Sequence, residues 1–300
     1  MNKLQVDFCG KKLKNPVVMA SGTFGFGKEY GEIYDISKLG GISGKGLTIN
    51  PKAGNDGIRV WETKAGIINS VGLENPGVDA FLKNDWDFMK KSGTQPIINV
   101  GGSSIETYKE ACIKLNNAGV DFIELNISCP NVKEGGMAFG IIPKMAYEIV
   151  SQIRPLVDGI LMVKLSPNAT NIVEVAKACE DAGADAVSLV NTFKALAIDI
   201  KSKKAVFNNI YAGLSGPCIM PIALRMVHEV SKAIKIPVMG MGGICTWEDA
   251  IMFLMAGAKA VQIGTLNFTD TKAGLKIIKG LEDYVEKENL NHISDIIGII

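Results

Sequence analysis

Histidine is almost absent: the 300 residues contain two, His228 and His292, and no HExxH. The commonest general base and zinc ligand therefore plays little part in this chain's chemistry. The six cysteines, Cys9, Cys112, Cys129, Cys179, Cys218 and Cys245, are spaced too widely for any CxxC, so no zinc or iron–sulfur ligand run exists. An excess of one charge is lacking too. Lys+Arg 32 against Asp+Glu 31 leave a net charge of +1, with no surplus of cations for a nucleic-acid backbone. No apolar stretch reaches the roughly 18 residues of a membrane span, and the opening MNKLQVDFCGKKLKN lacks the apolar segment of a secretory signal. The expectation is a cytoplasmic protein with its cysteines as thiols, bound to neither nucleic acid nor membrane.

What is present is a repeating α/β pattern. Eight short apolar runs recur along the chain: PVVMA (16–20), GISGK (41–45), PIINV (96–100), FIELN (122–126), ILMVK (160–164), AVSLV (186–190), PVMGM (237–241) and AVQIG (260–264). Longer segments with helical spacing separate them. Runs apolar on both faces are parallel strands covered by helices. The tetrapeptides AGVD (118–121), AGAD (182–185) and AGAK (256–259) each close a helical segment and lead into a strand, with glycine supplying the left-handed stop. This pattern predicts a (β/α)8 TIM barrel, and the absence of GxGxxG after the first strand weakens a dinucleotide-binding alternative. LQVDFCGKKLKNP reads as an N-terminal β-hairpin at the barrel bottom. Segments 46–95 and 191–220 are too long for simple connections and read as loops inserted over the C-terminal face. One domain spanning 1–300 is the simplest organisation.

Chemistry in such a barrel lies at the C-terminal strand ends. In order these are Ser21-Gly22, Lys45, Asn99, Asn126, Lys164, Asn191-Thr192, Gly242-Gly243 and Gly264-Thr265. Amides donate and accept, which suits a planar heterocycle with N–H and C=O edges; the lysines suit an anion or an electron-rich ring. The glycines of MGMGGICTWEDA and QIGTLNF, with Gly213-Leu214-Ser215-Gly216, let backbone N–H groups approach a phosphate, although tight turns would also explain them. Cys112, Cys179 and Cys218 read as buried small hydrophobes. Cys129 opens a polar, glycine-rich loop at the catalytic face and is the best base on offer. Lys164 also admits a rival reading, as the Schiff-base lysine of a class I aldolase. His228 and His292 read as structural or exposed, and Met239 and Met241 as core.

LNISCPNVKEGGMAFG, INSVGLENPG, VKLSPNAT, GLSGPCIMPIALRMV, MGMGGICTWEDA and VQIGT together resemble the dihydroorotate dehydrogenases, nearly end to end. Within that family the chain resembles the catalytic flavoprotein subunit of class 1B. NVKEGG after Cys129 is similar to the B type, where the A type is rich in Pro and Lys. Class 2 enzymes carry serine at the base position and an N-terminal membrane helix.

The resemblance implies oxidation of (S)-dihydroorotate to orotate in pyrimidine synthesis on one bound FMN. Cys129 matches the base that takes the C5 proton while the C6 hydride passes to flavin N5, and Lys164 matches the lysine beside the flavin. Lys45 and Asn69, with the backbone of Val71, Gly72 and Leu73, match the substrate carboxylate region. Asn126, Asn131, Asn191 and Thr192 match the groups on the pyrimidine edge. Ser21 and Gly22 match contacts to the isoalloxazine; Lys45, Asn99 and Asn126 also count among cofactor contacts. Gly216, Gly242, Gly243, Gly264 and Thr265 match the phosphate end. The chain departs from its relatives' usual pattern at Ile141-Ile142-Pro143 and at Ser43-Gly44.

The resemblance also implies a separate electron-transfer subunit carrying FAD and an iron–sulfur cluster, which passes electrons to NAD+. It implies a homodimer of this chain at the core of a heterotetramer. No metal site is expected on the chain itself. A dihydropyrimidine-type flavin oxidoreductase is the nearest alternative.

Overall fold

The computed structural model describes residues 2–128 and 139–300. Eight parallel strands close into a barrel: β1 (Val17–Met19), β2 (Gly41–Ser43), β3 (Gln95–Val100), β4 (Phe122–Asn126), β5 (Ile160–Lys164), β6 (Ala186–Leu189), β7 (Val238–Met241) and β8 (Ala260–Ile263). Each pairs with its sequence neighbours, and the ring is completed by Val261↔Val17, Gln262↔Val18 and Ile263↔Met19. All eight apolar runs read from the sequence are these strands. β4 and β5 are buried at every position, as strands under a helical jacket must be.

The jacket helices begin and end on local signals. Ser104 caps Ile105–Asn117 in a capping box with Thr107, Asn171 caps Ile172–Asp181, and Thr246 caps Trp247–Met255 with Asp249. These three helices stop at the repeated Ala-Gly pairs, with Gly119, Gly183 and Gly257 at φ 77°, 93° and 110°. A side chain there would be strained, and the chain turns directly into the next strand.

The N-terminal hairpin pairs Val6–Phe8 with Lys11–Leu13. Cys9 and Gly10 both take left-handed angles, φ 53° and 81°, as a two-residue turn matched to strand twist requires. Leu4, Val6, Phe8 and Leu13 are buried. Phe8 stacks on Phe122 with centroids 6.0 Å apart, and the Cys9 thiol lies 3.3 Å from the Asp185 carbonyl oxygen. Phe122 starts β4 and Asp185 immediately precedes β6, so the hairpin stops the N-terminal mouth.

The two long insertions differ from the loops expected. Val60–Thr63 and Gly66–Asn69 come from the first, Phe193–Leu196 and Tyr211–Ser215 from the second, and they form one four-stranded antiparallel sheet. Ile68, Ala197, Val206 and Phe207 make a small core of their own beneath it.

Cys112 and Cys179 are buried as expected, and burial pushes the Cys112 thiol up to about 12. Cys218 corrects the reading: it is exposed. It sits in the 3-10 turn Pro217–Ile219, which directs Ile219 inward and leaves its neighbour outside. His228 is half-buried on Met220–Ala233, and His292 caps the turn Ile293–Ile296. Among the described residues no helix is long and apolar enough to cross a membrane.

Truncating the plug tests the hairpin's role. Phe8→Ala is expected to lower the unfolding free energy in urea by about 3–5 kcal/mol. Lys11→Ala, which removes only a largely exposed pair with Asp121, is expected to cost under about 1 kcal/mol.

Candidate active site

Strand alternation places every second side chain inside the barrel, and several of those are polar. Ser43, Asn99, Glu124, Asn126, Lys164, Ser188 and Gln262 are all buried. Glu124, at the middle of β4, is wholly enclosed. Its Oε2 accepts hydrogen bonds from Ser43 Oγ and Asn99 Nδ2, each at 2.7 Å. Its Oε1 accepts from Ser188 Oγ at 2.7 Å and Gln262 Nε2 at 2.8 Å. Burial alone would raise the Glu124 carboxyl. The Lys164 ammonium and the donors on Ser43, Ser188 and Asn99 outweigh it and hold the group below its ordinary value.

A carboxylate accepts and never donates, so it fixes the sense of the chain that leaves it. Asn99 must turn its Nδ2 to Glu124, which leaves Oδ1 for Asn126 Nδ2 at 3.4 Å. Asn126 Oδ1 then accepts from the Ser128 hydroxyl at 2.7 Å, and Ser128 Oγ accepts from Asn191 Nδ2. Asn191 Oδ1 accepts from the Thr192 N–H at 2.7 Å. Asn99, Asn126, Asn191 and Thr192 are thus joined in one polarised network. Asn99 is fully enclosed, its amide committed to Glu124 and Asn126.

Lys164 ends β5, in register with Asn126 on one side and Ser188 on the other. It is 5% exposed, yet no hydrogen bond or close ion pair ties its Nζ to a described residue. A buried ammonium so placed favours an anion or a ring that gains negative charge.

Lys45 follows β2 and is half-buried. Burial lowers its affinity for a proton, Glu74 opposes that, and Arg59 adds to it. Asn69 closes its strand with Nδ2 on the Gly213 carbonyl oxygen at 3.3 Å. Beyond it the chain folds tightly: Val71 accepts from the Asn55 N–H, and Gly72 and Leu73 take φ 79° and 57°. The Leu73 side chain covers Gly46 and Gly101, just past β2 and β3. Ser21 and Gly22 follow β1, and a Cβ built on Gly22 would meet nothing within 4 Å.

Glycines meet at the other side of the mouth. A Cβ on Gly216 would lie 2.7 Å from Gly66 Cα, and one on Gly243 would lie 2.7 Å from Met220 Cβ and 2.8 Å from the Gly216 oxygen. One on Gly242 would lie 2.6 Å from Ala223 Cβ. Thr265, after Gly264, donates to Ser215 Oγ at 2.9 Å. The ends of β7 and β8 and of the strand Tyr211–Ser215 therefore pack closely at positions that admit no side chain, at the strand ends where this fold often places a phosphate.

Cys129 and Asn131 lie outside the described residues. Reading the sequence missed Glu124, Ser43, Ser188, Gln262 and Ser128. The signal for the first four was a polar residue at an inward position in a strand apolar elsewhere, save for Asn126 at the end of β4; Ser128 follows β4 and had no such signal. Among the described residues no three His, Cys, Asp or Glu stand together as a metal site.

The family model for dihydroorotate dehydrogenase matches residues 3–285. The chain belongs to the dihydroorotate dehydrogenase family. It is 55% identical over 296 residues to a Petrotoga mobilis protein, covering 99% of both chains, and 52% identical over 295 residues to one from Thermoanaerobacter pseudethanolicus, covering 98% of both. Both relatives are named dihydroorotate dehydrogenase B (NAD(+)), catalytic subunit. The fold matches a crystal structure of a dihydroorotate dehydrogenase from Eimeria tenella in complex with ferulenol. The TM-score is 0.81 at 18% identity, over 100% of this chain and 89% of that one. Membership of the family implies a flavin, and the residues present fit one: a buried ammonium with no hydrogen-bond partner among the described residues suits its ring, and the glycines after β7 and β8 suit a phosphate tail.

The Glu124 network makes a pH-dependent contribution to stability. Its folded value lies below the ordinary 4.5, so that contribution is complete above about pH 4.5 and is lost as pH falls through the folded value. Ser43→Ala, which removes one donor, is expected to cost about 1.5–3 kcal/mol at pH 7. Urea titrations should show that difference shrinking below about pH 4.5.

Proposed function

We propose that the chain is one FMN-binding unit that oxidises (S)-dihydroorotate to orotate in pyrimidine synthesis, working in the cytoplasm. The observation that carries this reading is the pairing, at one barrel mouth, of a buried lysine without a hydrogen-bond partner among the described residues and a cluster of glycines at the strand ends, in a chain of this family. FMN, when bound, supplies the acceptor for the substrate's C6 hydride.

The chain's own residues do the rest. Gly216, Gly242, Gly243, Gly264 and Thr265 hold the phosphate with backbone and hydroxyl donors. Ser21, Gly22, Lys45, Asn126 and Lys164 hold the ring, the enclosed Asn99 contributes through the hydrogen bond that orients Asn126, and the Lys164 charge favours the reduced form. Lys45, Asn69 and the N–H groups of Val71, Gly72 and Leu73 take the substrate carboxylate. Asn126, Asn131, Asn191 and Thr192 bind the ring edges and stabilise negative charge on the carbonyls as the C5 proton leaves. Cys129, as thiolate, accepts that proton.

Electrons leave through a partner subunit with FAD and an iron–sulfur cluster, which reduces NAD+. The relatives' printed name, a catalytic subunit of an NAD(+) enzyme, supports this route. The assembly we propose is a homodimer of this chain flanked by two such partners.

One anaerobic experiment tests the reading. The purified protein is expected to be yellow and to bleach with dihydroorotate but not with dihydrouracil. Cys129→Ala is expected to keep the colour and lose at least about a hundredfold in reduction rate. A colourless protein that borohydride and a carbonyl substrate inactivate at Lys164 would favour the aldolase chemistry instead.

A further inference from the structure

We propose that Glu124, which need touch neither substrate nor flavin, is a positioning residue that sets how strongly Lys164 favours the reduced flavin. The proposal rests on the flavin reading above and extends it to a residue two positions below the strand end.

Charge and geometry carry it. Lys164 and Glu124 are the only charged side chains among the described buried residues. They lie on adjacent, paired strands, with Asn126↔Lys164 and Glu124↔Met162 in register. Both point inward. Glu124 stays anionic because donors from β2, β3, β6 and β8 saturate its two oxygens. None of those donors carries charge, so among the described buried residues the negative charge is balanced by the ammonium of Lys164 alone. Opposite charges on adjacent strands of a poorly screened interior act on each other without touching. A ring that gains negative charge beside Lys164 therefore sees an ammonium already partly offset from beneath. The carboxylate moderates the ammonium's pull through space.

The structure also supplies a way to remove the charge without breaking the packing. Gln262 Oε1 is buried with no hydrogen-bond partner, while its Nε2 donates to Glu124 Oε1. In Glu124→Gln the new amide N–H can donate to Gln262 Oε1 once that side chain turns over, and the Ser188 hydroxyl can rotate to accept. The Ser43 and Asn99 side of the network keeps its sense.

The test compares wild type and Glu124→Gln as FMN holoenzymes at pH 7, poised with a reference dye. The variant is expected to hold FMN, with the ratio of reduced to oxidised flavin at a fixed poise raised about tenfold, about 30 mV for two electrons. A role limited to packing would lower stability and leave that ratio alone. Holoenzyme with an unchanged or lowered ratio overturns the proposal. Wild type that binds no FMN would instead overturn the flavin reading itself, so the two failures are distinguishable. Should Glu124→Gln not fold, infrared spectra of the wild-type holoenzyme decide. No carbonyl band of a buried protonated glutamic acid is expected at neutral pH, and its presence overturns the proposal.

Discussion

An ionised carboxylate inside a barrel of apolar strands is the constraint on which the site depends. Desolvating such a group costs several kcal/mol even after the protein relaxes. Four hydrogen bonds to a charged acceptor, at about 1.5–3 kcal/mol each, offset a cost of that size. They do so only if the four strands that supply them stay in register. Ser43, Asn99, Ser188 and Gln262 sit on β2, β3, β6 and β8. Satisfying Glu124 therefore also specifies how the strands close around it. The same carboxylate, acceptor only, propagates one sense of polarity through Asn99, Asn126, Ser128 and Asn191 to the mouth.

The barrel's two ends divide the work. The N-terminal mouth is stopped by Phe8 and its hairpin, with apolar contact and no chemistry. The C-terminal mouth spends stability on function. It keeps a lysine buried without a hydrogen-bond partner among the described residues and holds glycines where any side chain would collide. Residues of this kind break the local rules that the rest of the chain obeys, and such breaks concentrate where ligands bind. The four-stranded sheet made by the two insertions stands over this end. It carries Asn69 on one strand and Ser215 on another, so it reaches both the side of the mouth proposed for the substrate carboxylate and the side proposed for the phosphate.

The barrel was legible because its strands are short, apolar on both faces and punctuated by Ala-Gly stops, all of which are local signals. The glycine pairs and Lys164 were legible for the same reason, each standing at the end of a recognisable strand. The insertion sheet was not, because Gly66–Asn69 pairs with Tyr211–Ser215, far apart in the chain, and neither alternates strongly enough to announce a partner. Glu124 was hidden inside FIELN, where one acid in an apolar strand looks like noise until three dimensions bring four donors to it. Cys218 was misread because residue type predicts average burial, while a helix entrance decides which of two neighbours faces in. The role proposed for Cys129 comes from family resemblance and from the scarcity of histidine, since it lies outside the described residues.

The most direct measurement is a crystal structure of the protein grown with FMN and orotate. Lys164 Nζ is expected within about 2.7–3.2 Å of the flavin's ring edge, with the phosphate on the N–H groups of Gly216 and Gly243. Glu124 is expected still enclosed by its four donors. A phosphate seated away from those glycines, or Lys164 drawn down into direct contact with Glu124 and away from the ring, would contradict that arrangement.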